Sequence, residues 1–340
     1  MTNFGNPFGN KLTGQFRVLR TLTSRHLKMF FKNKMTFFFS LLVPLITLAI
    51  YLLFLRDLEC RSVDAIIQTY SFTEEQIAEL SPKVYGLVDA WMLSGILAIS
   101  CISVSFNTCY VMISDKETGA NKDFASSPIS RIVIITSYFL FNFLVTLIIC
   151  TLVFFICLIY LRIMNSFYFS ILDFISIYGV VIISIVSATL FTILITSFIS
   201  SGSTFNSLIA IFSAAVGFLI GGYMPIQMLP TFVQYMCGFF PGTYSAGILR
   251  TLFLRGQIDN VANYLSSINN DLSIIDTLKT QFLNVSFFGN NLNSEWMSLA
   301  LIITTTILLL LNLVSAKYTQ LRSLVGKTPK KHNKKVKKEE

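Results

Sequence analysis

Six runs of apolar residues, each about as long as a bilayer is thick, leave this chain few ways to fold. A hydrocarbon core of ~30 Å holds no water for backbone N–H and C=O groups, so a run of about twenty apolar residues crosses it as an α-helix. The runs fall at 36–55, 87–113, 132–161, 174–199, 205–222 and 296–316, the fifth being the shortest. Hydrophobic residues make up 54% of the chain and charged residues 13%. The sequence thus predicts an all-α polytopic membrane protein. It divides into a segment 1–35, a six-helix membrane domain 36–316 with an outer region 225–295, and a basic tail 317–340.

Lysine and arginine stay on the cytoplasmic side during insertion, so their distribution sets the orientation. Lys11, Arg17, Arg20, Arg25, Lys28, Lys32 and Lys34 precede the first span with no acidic residue among them, and the tail is rich in lysine. Both ends are therefore expected in the cytoplasm. The net charge of +9 is explained by topology and by attraction to anionic lipid, without nucleic acid. The first thirty residues lack the short apolar core and small-residue cleavage site of a signal peptide, so the first span is expected to remain as an anchor. Cys101, Cys109, Cys150 and Cys157 fall in spans; Cys60 and Cys237 fall outside, either as a disulfide or as unpaired small apolar residues.

Ahead of Pro44, Leu12, Phe16, Leu19, Leu22, Leu27, Met29 and Phe30 lie on one side of a helical wheel, and Arg17, Arg25, Lys28 and Lys32 on the other. This predicts an amphipathic helix in the plane of the inner leaflet, serving either as an anchor or as an elbow that receives force from a partner. In the first outer loop, 71–80 reads as a short capped helix. Residues 200–204 make a tight inner turn without evident chemistry, 257–293 form a polar, Asn-rich outer cap, and 271–282 is a helix within it. Asn284, Val285 and Ser286 form a glycosylation sequon, a triplet that is common by chance, and 327–338 reads as a lysine-rich tail facing lipid or a partner.

Residues 221–250 are apolar yet broken by Pro225, Pro230, Pro241 and Gly242. Proline removes a backbone donor, so short broken helices are expected there, packed on protein or roofing a cavity. Gly217 and Gly221 form a GxxxG step that would permit close helix contact.

Gradient-driven transporters need an ionisable group inside the membrane, and none is expected in the span interiors here. Polar character comes from Asn107, Asn142, Thr146, Ser184, Ser187, Thr189, Thr192, Thr196 and Ser197, which at helical spacing act mainly as interhelix hydrogen-bond glue. Gly326, Lys327 and Thr328 imitate the end of a phosphate-binding loop, but the required first glycine would fall at Leu321. His26 and His332, read as lying in surface segments, build neither a metal centre nor a triad. An enzyme is not expected, and energy for uphill transport would come from another polypeptide.

The inner loop 114–131 carries Glu117 and Gly119, then Ser127, Pro128 and Arg131. In this it resembles the permease subunit of an ABC type-2 exporter, where an acidic residue, Glu-X-Gly, a short helix and a Ser/Thr-Pro with a basic residue follow span two. Asn121 and Lys122 depart from that pattern. The resemblance extends to the elbow at 25–44 and to Gly222, Pro225, Leu229, Pro230, Pro241, Thr243, Tyr244 and Arg250 in the outer segment. The insert 257–293 lies outside the family pattern.

This resemblance implies a dimer, identical or with a sister permease, with two ATP-binding subunits that hold ATP and Mg. No cofactor would bind this chain, and the location would be a bacterial plasma membrane. Arg25, Lys28, Glu117, Gly119, Pro128 and Arg131 would couple to the ATPase. Asn107, Gly217, Gly221, Gly222, Pro225, Pro230, Pro241 and Tyr244 would form the outer gate and pathway, beside spans two and five. The cargo would be a drug, peptide or lipid-like molecule. A glycan-exporting permease and a non-transporting immunity or signalling component are the alternatives.

Overall fold

The computed structural model describes residues 7–127, 129–268, 272–283, 286–287 and 290–325. Helix α1 (Pro7–Lys32) is followed by α2 (Lys34–Ile50), a π-helical stretch Tyr51–Leu55 and α3 (Arg56–Ile67), which continue one another. The first span therefore does not stop at residue 55. Next come α4 (Glu74–Thr108), α5 (Tyr110–Glu117), α6 (Ala120–Ser126), α7 (Arg131–Ile163), α8 (Ile171–Ser197) and α9 (Gly202–Leu219). A 3-10 turn, Ile226–Met228, leads to α10 (Thr231–Gly238), α11 (Pro241–Ser267), α12 (Ser273–Phe282) and α13 (Ser294–Val325). Among the described residues, six helical segments are long and apolar enough to cross a membrane, as the hydropathy pattern requires. The strands are two residues each, β1 (Ser286–Phe287) antiparallel to β2 (Asn290–Asn291).

Helix α4 is the axis of the domain, packed on α2, α7, α8, α9 and α11. Its membrane-crossing stretch is buried throughout, which its small residues Ser94, Gly95, Ala98, Ser100, Ser103 and Ser105 allow by letting neighbouring backbones approach. Ser105 joins the expected polar glue. Its hydroxyl donates to Asn142 Oδ1 at 2.9 Å and pairs with Thr192 at 2.7 Å, while Asn142 Nδ2 donates back to the Ser105 carbonyl at 2.8 Å. Thr146 and Thr189 also donate to Asn142 Oδ1.

At about 1.5 Å per residue α4 is ~52 Å long, well beyond the hydrocarbon core. The capping box of Thr73 and Gln76 starts it as read, but the helix does not end near residue 80; it runs on into span two with Pro82 inside. Its outer half packs with α3, the second half of α11 and α12 around Val63, Leu80, Val84, Val261, Leu278 and Phe282. The outer cap is thus helical and has an apolar core. Gln257, read as the start of a polar insert, is 1% exposed in the middle of α11, with its amide donating to the Ser166 carbonyl. All six cysteines are buried free thiols, Cys60 and Cys237 included. Asn284 and Val285 of the sequon, Gly326 through Thr328, His332 and Pro128 lie outside the described residues.

Candidate functional site

Three consecutive residues at the inner end of α5 grip four other helices. Asp115, 1% exposed, accepts two hydrogen bonds from the Arg25 guanidinium of α1, at 2.7 and 2.8 Å, and one from Tyr138 of α7 at 2.7 Å. Lys116 places its ammonium on the carbonyls of Thr196, Ser197 and Ile199, at 2.7, 3.1 and 2.6 Å, where α8 ends. Glu117 accepts from the Gly202 amide at 2.6 Å, where α9 begins. A cation on a helix C-terminus and a carboxylate on an N-terminus both meet the partial charges left by unpaired backbone groups. The inner turn at 200–204, read as chemically silent, is held from both sides. A Cβ at Gly202 would meet the Glu117 carboxylate, so a larger residue there would displace that side chain. Gly119 has φ +84°, a left-handed conformation that breaks α5 from α6 and that glycine adopts without strain.

Helix α1 buries Leu22, Thr23, His26 and Phe30 against α7, while Arg17, Arg20, Lys28 and Lys32 are exposed. Phe16, assigned to the apolar face, is 69% exposed, and His26, assigned to the surface, is fully buried. Spacing of four residues from Leu22 to His26 to Phe30 is the signal that places His26 inside. Its ring stacks on Tyr138 at 4.3 Å between centroids, and Nδ1 lies 3.6 Å from Asp115. Burial pushes its pKa down to about 4, with Asp115 opposing and Arg25 assisting the shift. Arg25 shifts upward through its hydrogen bonds to Asp115, and its guanidinium also lies 5.2 Å from the Phe124 ring of α6. The structure therefore brings Arg25, Glu117 and Gly119 to one place. It leaves Lys28 facing outward and sets Arg131 on the far side of the loop, lining a separate small cavity.

Asn107 sits away from the outer residues grouped with it. It lines an open cleft of about 420 Å³ near the inner end of α4, together with Asn33, Thr36 and Phe39 of the first span and Asn206 and Ile209 of α9. Five of its lining residues, Tyr110 included, carry an amide or hydroxyl group, beside the apolar Met35, Phe39 and Ile209.

At the outer end the chain turns back into protein. Gly221 has φ +67°, beyond the end of α9, so Gly217 and Gly221 do not form a helix-packing step. Gly217 instead receives the Tyr223 ring, Gly222 lies against Ile99, and Gly95 of α4 meets the Gly222 backbone. The prolines each precede or open an element: Pro225 before the 3-10 turn, Pro230 as N-cap of α10 and Pro241 at the first turn of α11. Proline is favoured there because its missing N–H would be unpaired in any case. Thr243 donates to the Cys237 carbonyl at 2.6 Å and Tyr244 to the Gly238 carbonyl at 2.5 Å, which staples α10 to α11. Arg250, 2% exposed, donates to the Gly221 carbonyl and lies 5.0 Å from the Trp91 ring.

The expectation of span interiors free of ionisable groups is overturned by Asp89. It is 1% exposed in α4, where it accepts from Tyr51 at 2.6 Å, Arg56 at 2.9 Å and Tyr160 at 3.3 Å. It lies ~28 Å along α4 from Thr108, two residues inside the predicted second span, and Arg56, 27% exposed, neutralises it.

Six helical segments long and apolar enough to cross a bilayer, packed around the buried α4, define a polytopic integral membrane protein. The model of the ABC-2 type transporter family matches residues 17–254, and the chain belongs to that family. It is the membrane-spanning permease part of an ABC transporter. No curated protein matches the chain.

Proposed function

We propose that this chain forms the translocation pathway of an ATP-driven exporter in a bacterial plasma membrane, moving an amphipathic drug, peptide or lipid-like molecule. Two permease subunits, identical or sisters, pair with two ATP-binding subunits that hold ATP and Mg. Both termini and the α5–α6 segment face the cytoplasm.

The observation that carries this reading is the triple grip of Asp115, Lys116 and Glu117. A cytoplasmic subunit pressing on α1 and α6 moves α5, and through these bonds the ends of α8 and α9 move with it. Packed helices respond to such a push as rigid bodies, because a close-packed interior deforms little. Helix α9 carries one wall of the Asn107 cleft, so that motion alters the cleft. The outer turn on Gly95 and Arg250 acts as the gate. The cleft's mixed lining favours an amphipathic cargo over a long polar glycan.

The test is to purify the chain with its ATP-binding subunit and find compounds that stimulate hydrolysis. Glu117→Lys is expected to retain basal hydrolysis and lose transport, and normal transport in that variant removes Glu117 from coupling. Cysteine labelling in intact cells is expected to reach Thr73→Cys and miss Thr118→Cys; the reverse pattern overturns the orientation.

A further inference from the structure

Between the start of α7 and the inner part of α13 lies a cavity of about 90 Å³ whose lining includes Lys116, Asn121, Arg131 and Tyr138. It adjoins an apolar cleft of about 220 Å³ between α7, α8 and α13; the two share Ile135 and Ala316, and the cleft continues past Phe139 and Leu313. The polar part holds two cations and no carboxylate. Arg131 and Asn121 are half-buried, and neither side chain makes a hydrogen bond or ion pair with a described residue. The rim of the cleft lies on the surface of the helix bundle, with Leu309 47% and Leu313 39% exposed.

We propose that this seam binds one anionic glycerophospholipid, its phosphate on Arg131 and Asn121 and an acyl chain along the cleft. A guanidinium presents paired donors that match phosphate oxygens, and basic pockets between helices at the cytoplasmic boundary select anionic headgroups. Arg131 is the first residue of α7, which sets it at headgroup depth. The ammonium of Lys116 adds charge while resting on the end of α8. A free phosphate would use none of the apolar cleft, whereas a lipid uses both parts. The bound lipid touches the loop that grips α8 and α9, so it stiffens that loop. Arg131, carried into the coupling set by its motif position, is reassigned to lipid.

The placement at the inner leaflet rests on the orientation proposed above, but headgroup preference in detergent does not. Native mass spectrometry of the full-length chain would compare phosphatidylglycerol, phosphatidylcholine and glycerol 3-phosphate. Phosphatidylglycerol is expected to be retained one to one, about tenfold better than phosphatidylcholine, which shares the phosphodiester but would set a choline cation beside Arg131 and Lys116. Glycerol 3-phosphate is expected not to be retained. Arg131→Gln should reduce phosphatidylglycerol to the level of phosphatidylcholine, and Arg131→Lys should restore part of the preference. Leu313→Trp, which fills the cleft without altering charge, should weaken both lipids. Equal retention of the two lipids by the unaltered chain would show ordinary annular lipid, and retention of glycerol 3-phosphate at the same affinity would show a soluble-anion site; either result overturns the proposal. So does an intact preference in a folded Arg131→Gln variant. If that variant does not fold, the headgroup comparison on the unaltered chain and the Leu313→Trp result decide. Labelling of Thr118→Cys from outside would reverse the leaflet and leave the preference in place.

Discussion

At the inner end, Asp115, Lys116 and Glu117 reach four helices with charged side chains, over sequence separations as large as 90 residues. At the outer end, Gly95, Gly217 and Gly222 bring backbone and rings into contact, and Arg250 closes the turn over Trp91. Charged contacts made by long, flexible side chains can lengthen and re-form as helices slide. Glycine contacts cannot be half made, since a shift of a few tenths of an ångström opens a gap or forces overlap. The inner end is thus suited to receive a movement, and the outer end to hold shut until it releases as a unit.

The sharpest way to break this comparison is to remove Arg25. Arg25→Ala leaves the buried Asp115 carboxylate with the Tyr138 hydroxyl and the neighbouring His26 ring and should cost about 3 kcal/mol, the low end for a broken buried pair because Arg25 is partly solvated. Chemical denaturation in detergent checks it. A cost below about 1 kcal/mol would make the inner contact a surface bridge.

Gly95→Ala tests the outer end, where the added methyl meets the Gly222 carbonyl. An overpacking cost of about 1–3 kcal/mol is expected, with transport lost before ATP hydrolysis by the partnered complex. Equal loss of both activities would deny the outer turn a separate gating role.

Acid should loosen the inner end alone. Above pH about 6.5 His26 is neutral in folded and unfolded chain alike. As pH falls, the unfolded chain takes up a proton near 6.5 while buried His26 resists until about 4. Stability therefore falls with pH through that window, by about 2 kcal/mol between pH 7 and 5, and levels off below 4. Melting curves across that range check it, and His26→Phe should remove most of the slope.

The smallest effect is expected from Pro241→Ala. At the first turn of α11 proline only pre-sets φ, so the loss should stay under about 1 kcal/mol and export should persist. Abolished export would restore the reading of Pro241 as a break.

Some of this was legible in the chain. The six crossings and the helix at 271–282 rest on local periodicity; the structure has six such helices, the first two running well beyond the predicted bounds, and α12 at Ser273–Phe282. The start of α4 was legible in its capping box, but not its length, because Pro82, which would ordinarily stop a helix, lies inside it and the outer half is kept helical by packing on α3, α11 and α12. His26 could have been found from its four-residue spacing with Leu22 and Phe30. Asp89 could have been found by position alone, two residues inside the predicted second span. Nothing near Lys116 announces that its ammonium would cap a helix end some 80 residues away.

Hydropathy and charge bias by themselves determined a six-crossing helical membrane protein, since burial of an apolar run in lipid depends only on the run itself. Family membership was legible too, because its motifs are short and ordered. Which residues meet was decided by the tertiary structure. Arg25 on Asp115, Lys116 on α8, Glu117 on α9 and Arg250 on Gly221 are contacts whose energy exists only once distant helices pack and exclude water, and no local pattern encodes them.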